Sequence, residues 1–306
     1  MQLKRNSLIL RIARQWELFA MVIPVMVYVF IFSYVPLQGW VMAFQNYKPN
    51  PNITKQEWVG LYHFQFLFSD ERFFRVMRNT LAMSSINLVL NFVCAIFFAL
   101  MLNELRQKYF KRVVQTISYL PHFLSWVIAC SMISDFLSSG GLLNSLMMNM
   151  GFIKEPIIFL ANPNSFWWIV GWGSVWKSVG WNTIIYLAAI TSIDPELYES
   201  ASLDGAKRFA RMWHITLPCI KSTILVLLIM NIGWILNAGY EVQYLLGNSL
   251  TWDTAETIDV FVMRYGIGRR NYSLGTAFGM FKTVISIILI VGANQLSKRF
   301  SQESLV

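Results

Sequence analysis

The sequence predicts an all-α integral membrane protein with six transmembrane helices and both termini in the cytoplasm, and three observations carry that prediction. Of 306 residues, 56% are hydrophobic and only 13% charged, whereas a soluble chain carries about 25% charge. Six stretches are apolar enough to cross a bilayer core of about 30 Å, which takes about 20 residues in helix. Basic residues gather at alternate ends of these stretches. The net charge of +9 would suggest nucleic acid in a soluble chain. Here it belongs to loops at a membrane surface, so lipid is expected as a partner and nucleic acid is not.

The stretches cover residues 18–35, 81–101, 114–133, 166–190, 222–239 and 274–296. The first follows Lys4, Arg5, Arg11 and Arg14, as a signal peptide would, but its apolar run is long and leads into Tyr34, Val35 and Pro36 without a small-residue cleavage site. It reads as a retained span. With the N-terminus inside, the cytoplasmic segments hold fourteen Lys and Arg against nine outside, four of them packed between Arg106 and Arg112. Lys177 and Lys282 fall within spans, where an ammonium is costly and normally faces protein or water. The outer connections, about 36–79, 137–165 and 240–273, are each too small for a catalytic domain. Phe64, Phe66, Leu67 and Phe68 suggest an amphipathic helix at the outer surface, either a membrane anchor or a docking element. No repeat or linker divides the chain, so residues 1–306 read as a single domain.

Several chemistries are missing from the sequence. Cys94, Cys130 and Cys219 lie far apart, as do His63, His122 and His214, which argues against a disulfide framework or a metal site. No G-x-x-x-x-G-K-[ST], H-E-x-x-H or G-x-S-x-G occurs. The chain is therefore not expected to be an enzyme or to hold a cofactor, and any ATP with its Mg would be bound by a partner. Within the spans, the ionised residues are Lys177, Lys282 and, near the end of the third, Asp135, too few for a carrier driven by protons or sodium.

The connection at 192–218 is the most informative segment. Asp194 can cap a helix that starts at Pro195, with Glu196 and Glu199 near its positive end. Asp204 and Gly205 supply a turn, because glycine accepts φ > 0. A second helix is expected from Ala206 to about Ile215, stopping before Leu217 and Pro218. On local physics alone this is a helical hairpin at the cytoplasmic face. The residues ESASLDGAKRFARMWHITLP resemble the E-A-A-x-x-x-G coupling loop of permease subunits in ATP-binding-cassette importers. Glu199, Ala201, Asp204, Gly205, Ala206, Phe209, Ile215, Leu217 and Pro218 match that pattern, and Ser200 replaces a common alanine. The resemblance implies a type I importer permease in the bacterial cytoplasmic membrane. Its implied partners are a second homologous permease, two ATPase subunits that receive the loop, and an extracytoplasmic solute-binding lipoprotein. WKSVGWNTIIYLAAITSIDPELYESASLDGA looks like the carbohydrate branch. With PVMVYVFIFSYVPLQGWVMAFQNYKP and WVGLYHFQFLF, it resembles the polysaccharide-type permeases of Gram-positive bacteria, which implies an oligosaccharide substrate.

A path for sugars needs amides, hydroxyls and aromatic faces rather than fixed charge. In the fifth stretch Asn231, Trp234, Asn237 and Glu241 fall within about 120° of arc if it is one helix. In the fourth, Ser174, Ser178, Asn182 and Tyr186 recur at i+4, and Gly171 on the same stripe raises the alternative of a small-residue packing seam. Asn182, Tyr186, Asn231, Trp234, Asn237 and Glu241 are the candidate path residues. The rival reading is a membrane scaffold whose cytoplasmic hairpin recruits a soluble partner without transporting anything.

Overall fold

The computed structural model describes residues 14–49 and 56–301; Lys4, Arg5 and Arg11 lie outside them. The architecture is helical, with one two-stranded ribbon. The first helix, α1 (Trp16–Val29), continues through a π-turn (Phe30–Tyr34) and a 3-10 segment (Val35–Phe44) into β1 (Gln45–Asn46). It runs well past the expected end at 35. Strand β1 pairs antiparallel with β2 (Glu57–Trp58), placing Gln45 opposite Trp58. The short α2 (Tyr62–Ser69) leads into α3 (Glu71–Glu104), whose first turn is capped by Asp70 accepting from the Arg72 amide at 2.9 Å. At 34 residues, α3 is about 51 Å long and begins ten residues before the apolar stretch it contains.

The third stretch is not one helix. Helix α4 (Lys108–Tyr119) gives way to a 3-10 turn (Leu120–Phe123), and α5 (Trp126–Leu137) starts afresh behind Ser125, whose hydroxyl accepts from the Ile128 amide. Pro121 and an N-capping serine break the helix for ordinary reasons: a missing N–H, and a competing side-chain acceptor. The break is repaired by Lys177, whose ammonium donates to the His122 carbonyl at 2.7 Å and the Pro121 carbonyl at 3.4 Å and lies 5.2 Å from the Trp126 ring. His122 in turn stacks on Trp181 at 4.5 Å. The buried Lys177 is thus a cap for carbonyls that the broken helix leaves open.

After α6 (Leu142–Asn149) comes α7 (Pro163–Thr191), which packs along α3 in the most extensive helix pair of the molecule. Gly171 makes that approach possible, because a Cβ there would sit 2.9 Å from both Ile86 and Leu90. The hairpin follows as α8 (Pro195–Leu203) and α9 (Arg208–Cys219), and α10 (Lys221–Gly233) leaves α9 at a bend of 62°. The second hairpin helix does not stop at Ile215 as expected. It passes Pro218 because a π-turn over Met212–Thr216 widens the helix just before the proline ring.

Short helices α11 (Glu241–Leu246), α12 (Trp252–Ala255) and α13 (Ile258–Phe261) precede the closing helix α14 (Tyr272–Ser301). Among the described residues four helical segments are long and apolar enough to cross a membrane, Trp16–Phe44, Glu71–Glu104, Trp126–Asn149 and Tyr272–Gln295; the bent pair α9 and α10 adds a fifth. Helix α7 is long enough at 29 residues, but Lys177, Asn182 and five tryptophans dilute its apolar character.

Three buried clusters stack along the bundle. Ala43, Leu67, Phe73, Phe261 and Phe278 join α2, α3, α13 and α14 at one end. Met83, Cys130, Phe166, Val170 and Val242 fill the middle. Ala95, Ala99, Tyr186, Ile190 and Ile220 close the end that bears the hairpin. Helix α2 does not lie loose on a surface: Leu67 and His63 are buried, and His63 Nε2 lies 3.2 Å from the Gln45 carbonyl. By contrast α1 buries none of its residues within the chain.

Candidate functional site

A cavity of about 350 Å³ opens between α3, α7 and the end of α10. Of the path candidates, Asn182, Tyr186, Asn231, Trp234 and Asn237 all line it, together with Ser174 and Ser178; Glu241 does not, because it begins α11 and points elsewhere. The single helical arc expected for the fifth stretch is not formed. Helix α10 ends at Gly233, where Ile290 of α14 occupies the space a Cβ would need, 2.6 Å away. Trp234 and Asn237 therefore reach the cavity from a turn rather than from a helix face, with the Asn237 amide donating to the Trp234 carbonyl at 2.8 Å.

The third wall comes from α3, where Ser84, Asn87 and Asn91 face the cavity with Phe92. These residues follow i, i+3, i+7 spacing, the same helical signal that marked α7, in a stretch otherwise read only for its hydrophobicity. Asn91 donates to the Ser174 hydroxyl at 3.1 Å and ties α3 to α7 across the cavity floor. The oxygens Ser84 Oγ, Asn87 Oδ1 and Asn91 Oδ1 are buried without a partner among the described residues. A buried acceptor left open costs about 1–3 kcal/mol, so this wall of α3 carries polar groups at an energetic cost that an apolar packing seam would not need. The lining holds amides, hydroxyls and the rings of Phe92, Tyr186 and Trp234, and no Lys, Arg, Asp or Glu.

The second site is the hairpin. Asp194 accepts from the Glu196 amide at 3.0 Å, with Pro195 in the first helical turn. Helix α8 ends in a Schellman motif: Ala206 N–H donates to the Ala201 carbonyl at 2.9 Å, Gly205 N–H to Ser202 at 3.2 Å, and Gly205 has φ +79°. Tyr198 Oη lies 3.0 Å from Thr216 Oγ1, and Arg211 donates to Ser202 Oγ at 2.7 Å, so α8 is fastened to α9. Leu217 packs against the cluster at the hairpin end, while Glu199, Asp204 and Pro218 are exposed. Leu203 and Phe209 project from the hairpin, 90% and 77% exposed, with Trp213 beside them. Helix α7 joins the two sites: it carries Ser174, Ser178, Asn182 and Tyr186 in the cavity and ends three residues before Asp194.

A multi-pass helical membrane protein with a polar cavity at mid-bundle and a fastened hairpin that projects apolar side chains at one end is built as a transport permease. The family model described as binding-protein-dependent transport system inner membrane component matches residues 91–302. The chain is 45% identical over 303 residues to the polygalacturonan/rhamnogalacturonan transport system permease protein YteP of Bacillus subtilis, covering 99% of this chain and 94% of that protein. It is 45% identical to protein LplB of the same organism, over 94% of this chain and 90% of the other. A crystal structure of a bacterial ABC transporter involved in import of the acidic polysaccharide alginate contains a chain that superimposes with a TM-score of 0.87. Identity there is 40%, over 95% of this chain and 98% of that one. A second alginate transporter structure, solved with an alginate pentasaccharide-bound periplasmic protein, matches with a TM-score of 0.87 at 39% identity, over 96% of this chain and 98% of the other. The chain belongs to the family of binding-protein-dependent transport system inner membrane components, with the type I permease fold. It is a permease subunit of an ABC importer and not an enzyme.

Proposed function

We propose that this chain forms half of the path of an ATP-driven oligosaccharide importer, with the cavity as its sugar-contacting wall and residues 192–218 as its coupling loop. It crosses the bacterial cell membrane six times as a single domain, through α1, α3, the broken pair α4 and α5, α7, the bent pair α9 and α10, and α14. Both termini and the hairpin are cytoplasmic. A second permease closes the path, two ATPase subunits holding ATP and Mg take up the hairpin, and an extracytoplasmic binding lipoprotein delivers the sugar. Glu199, Ala201, Asp204, Gly205, Ala206, Phe209, Leu217 and Pro218 shape the coupling surface. Asn182, Tyr186, Asn231, Trp234 and Asn237, joined by Ser84, Asn87 and Asn91, contact the cargo; Glu241 is left out.

The observation that carries this reading is the continuity of α7 from the cavity to the hairpin, which lets one rigid element bring docking at one end to bear on the other. A scaffold would need the hairpin but not a polar cavity. The relatives named for polygalacturonan, rhamnogalacturonan and alginate favour a polysaccharide fragment as cargo. The uncharged lining means that this wall would engage sugar hydroxyls and ring faces rather than carboxylates. The test is uptake of labelled pectin or alginate oligosaccharides by vesicles holding the assembled importer. Uptake that requires ATP and is lost in Asn182→Leu supports the reading, and uptake indifferent to both refutes it.

A further inference from the structure

The segment 234–238 supplies Trp234, Ile235, Asn237 and Ala238 to the cavity, yet it belongs to no helix. Turn bonds from the Trp234 amide to the Asn231 carbonyl, Ile235 to Ile232 and Asn237 to Trp234 shape its first part, and its far end is held by side chains of other elements. Those side chains are not among the residues that line the cavity. The Ala238 carbonyl accepts from Gln243 Nε2 at 2.7 Å. The Gly239 carbonyl accepts from Thr257 Oγ1 at 3.2 Å, and the Gly239 amide donates to Asp259 Oδ2 at 3.1 Å. Gly239 itself holds φ +76°, so the chain reverses there in a conformation that side chains resist.

Asp259 has a second commitment. Its other oxygen, Oδ1, accepts from the ammonium of Lys282 on α14, in a pair where both side chains are largely withdrawn from solvent, 23% and 14% exposed. An ammonium within a span demands such a partner. The carboxylate thus bridges a fixed charge on a long helix and one backbone amide at the edge of the cavity.

We propose that Asp259 and Lys282 are positioning residues that fix the shape of the sugar path from outside it. They do so by holding Gly239 and, through it, the lining segment 234–238. This rests on the cavity being the path, since otherwise the clamp would shape a surface no cargo meets. Neither side chain of the pair lines the cavity or hydrogen-bonds to a lining residue among the described residues, so its effect is on where Trp234 and Asn237 stand, and hence on half-saturation more than on maximal rate.

The experiment is amide hydrogen exchange of the 234–240 peptide in the assembled importer, wild type against Lys282→Met, Asp259→Ala, Thr257→Val and Lys282→Arg, with transport measured alongside. Lys282→Met and Asp259→Ala should speed exchange of the Gly239 amide by about two- to tenfold, the change expected on losing one ordinary hydrogen bond. They should also raise the half-saturating concentration of sugar-loaded binding protein, with maximal rate less affected, and Lys282→Arg should restore both. If the charge variants fail to assemble, Thr257→Val, which removes only the donor to the Gly239 carbonyl, must show the same acceleration. Unchanged exchange in every variant that assembles overturns the clamp. Faster exchange with unchanged transport leaves the clamp standing and instead removes the segment from the path.

Discussion

At the scale of single residues, two positions carry sharply different costs. Nothing lies within 4 Å of the place where a Cβ would stand on Gly205, so room is not what demands glycine there. The demand comes from φ +79°, which closes the Schellman turn between α8 and α9. Gly205→Val should cost about 1–3 kcal/mol of local strain and displace Phe209 and Leu203 from their presentation. We expect normal membrane insertion, loss of sugar-stimulated ATP hydrolysis and loss of uptake in vesicles; normal uptake would remove the hairpin from coupling. In the cavity, Asn231→Leu and Trp234→Ala should lower transport while ATPase subunits still copurify, because their docking surface lies elsewhere. If the residues formed a packing seam instead, assembly would fail first, at about 0.6–2 kcal/mol per lost hydrogen bond in a membrane. Most of these lining residues were legible as amides and rings at helical spacing. Glu241 does not line the cavity: the expected arc needs one helix through residue 241, and α10 ends at Gly233. Ser84, Asn87 and Asn91 were overlooked because a hydrophobicity window averages three polar residues into an apolar background.

At the scale of elements, the break in the third span is the feature hydrophobicity alone conceals. Residues 114–133 are apolar on average, but Pro121 and Ser125 divide them, and Lys177 answers the exposed carbonyls from another helix. That partnership is long-range, so no local pattern announces it, although a lysine in a tryptophan-rich span announces that some partner exists. Lys177→Met should remove charge-assisted bonds worth about 1.5–3 kcal/mol, and the assembled complex should melt at a lower temperature; an unchanged melting temperature would mean the carbonyls are satisfied otherwise. At the opposite end, α2 docks through His63, whose pKa burial pulls below the ordinary 6.5 of a histidine while the Gln45 carbonyl partly offsets this. The folded chain thus favours neutral imidazole. Its docking is fully stable above the unfolded pKa and weakens as pH falls below about 6.5 toward the lowered folded value, since the unfolded segment takes up the proton first. Protection factors over residues 56–69, which take out the intrinsic pH dependence of amide exchange, should fall on going from neutral to mildly acid pH. His63→Gln should flatten that dependence, and an equal acid response in the variant would assign it to another group.

At the scale of the whole molecule, a polar cavity and the hairpin proposed for coupling are joined by one helix, α7. The exposed apolar length of α1, the open side of the cavity and the projecting Leu203, Phe209 and Trp213 each await a covering surface. A path lined by amides and rings can touch many sugars and must release each one, so selectivity is expected to reside in the binding protein. The isolated permease pair should accordingly show no micromolar affinity for free oligosaccharide by calorimetry, and tight binding there would contradict this division of labour. The class of fold was readable from composition and the hairpin motif because both are local in sequence. The break in the third span and the end of α10 were not, because Lys177 with His122 and Gly233 with Ile290 are contacts between distant residues. The most direct test of the central claim is sugar uptake and ATP hydrolysis measured together in proteoliposomes for Asn231→Leu and Gly205→Val. The account predicts two different failures: the cavity variant assembles and loses uptake at its sugar wall, and the hairpin variant assembles but no longer links hydrolysis to delivery of sugar. Wild-type uptake by fully assembled complexes of both variants would contradict it.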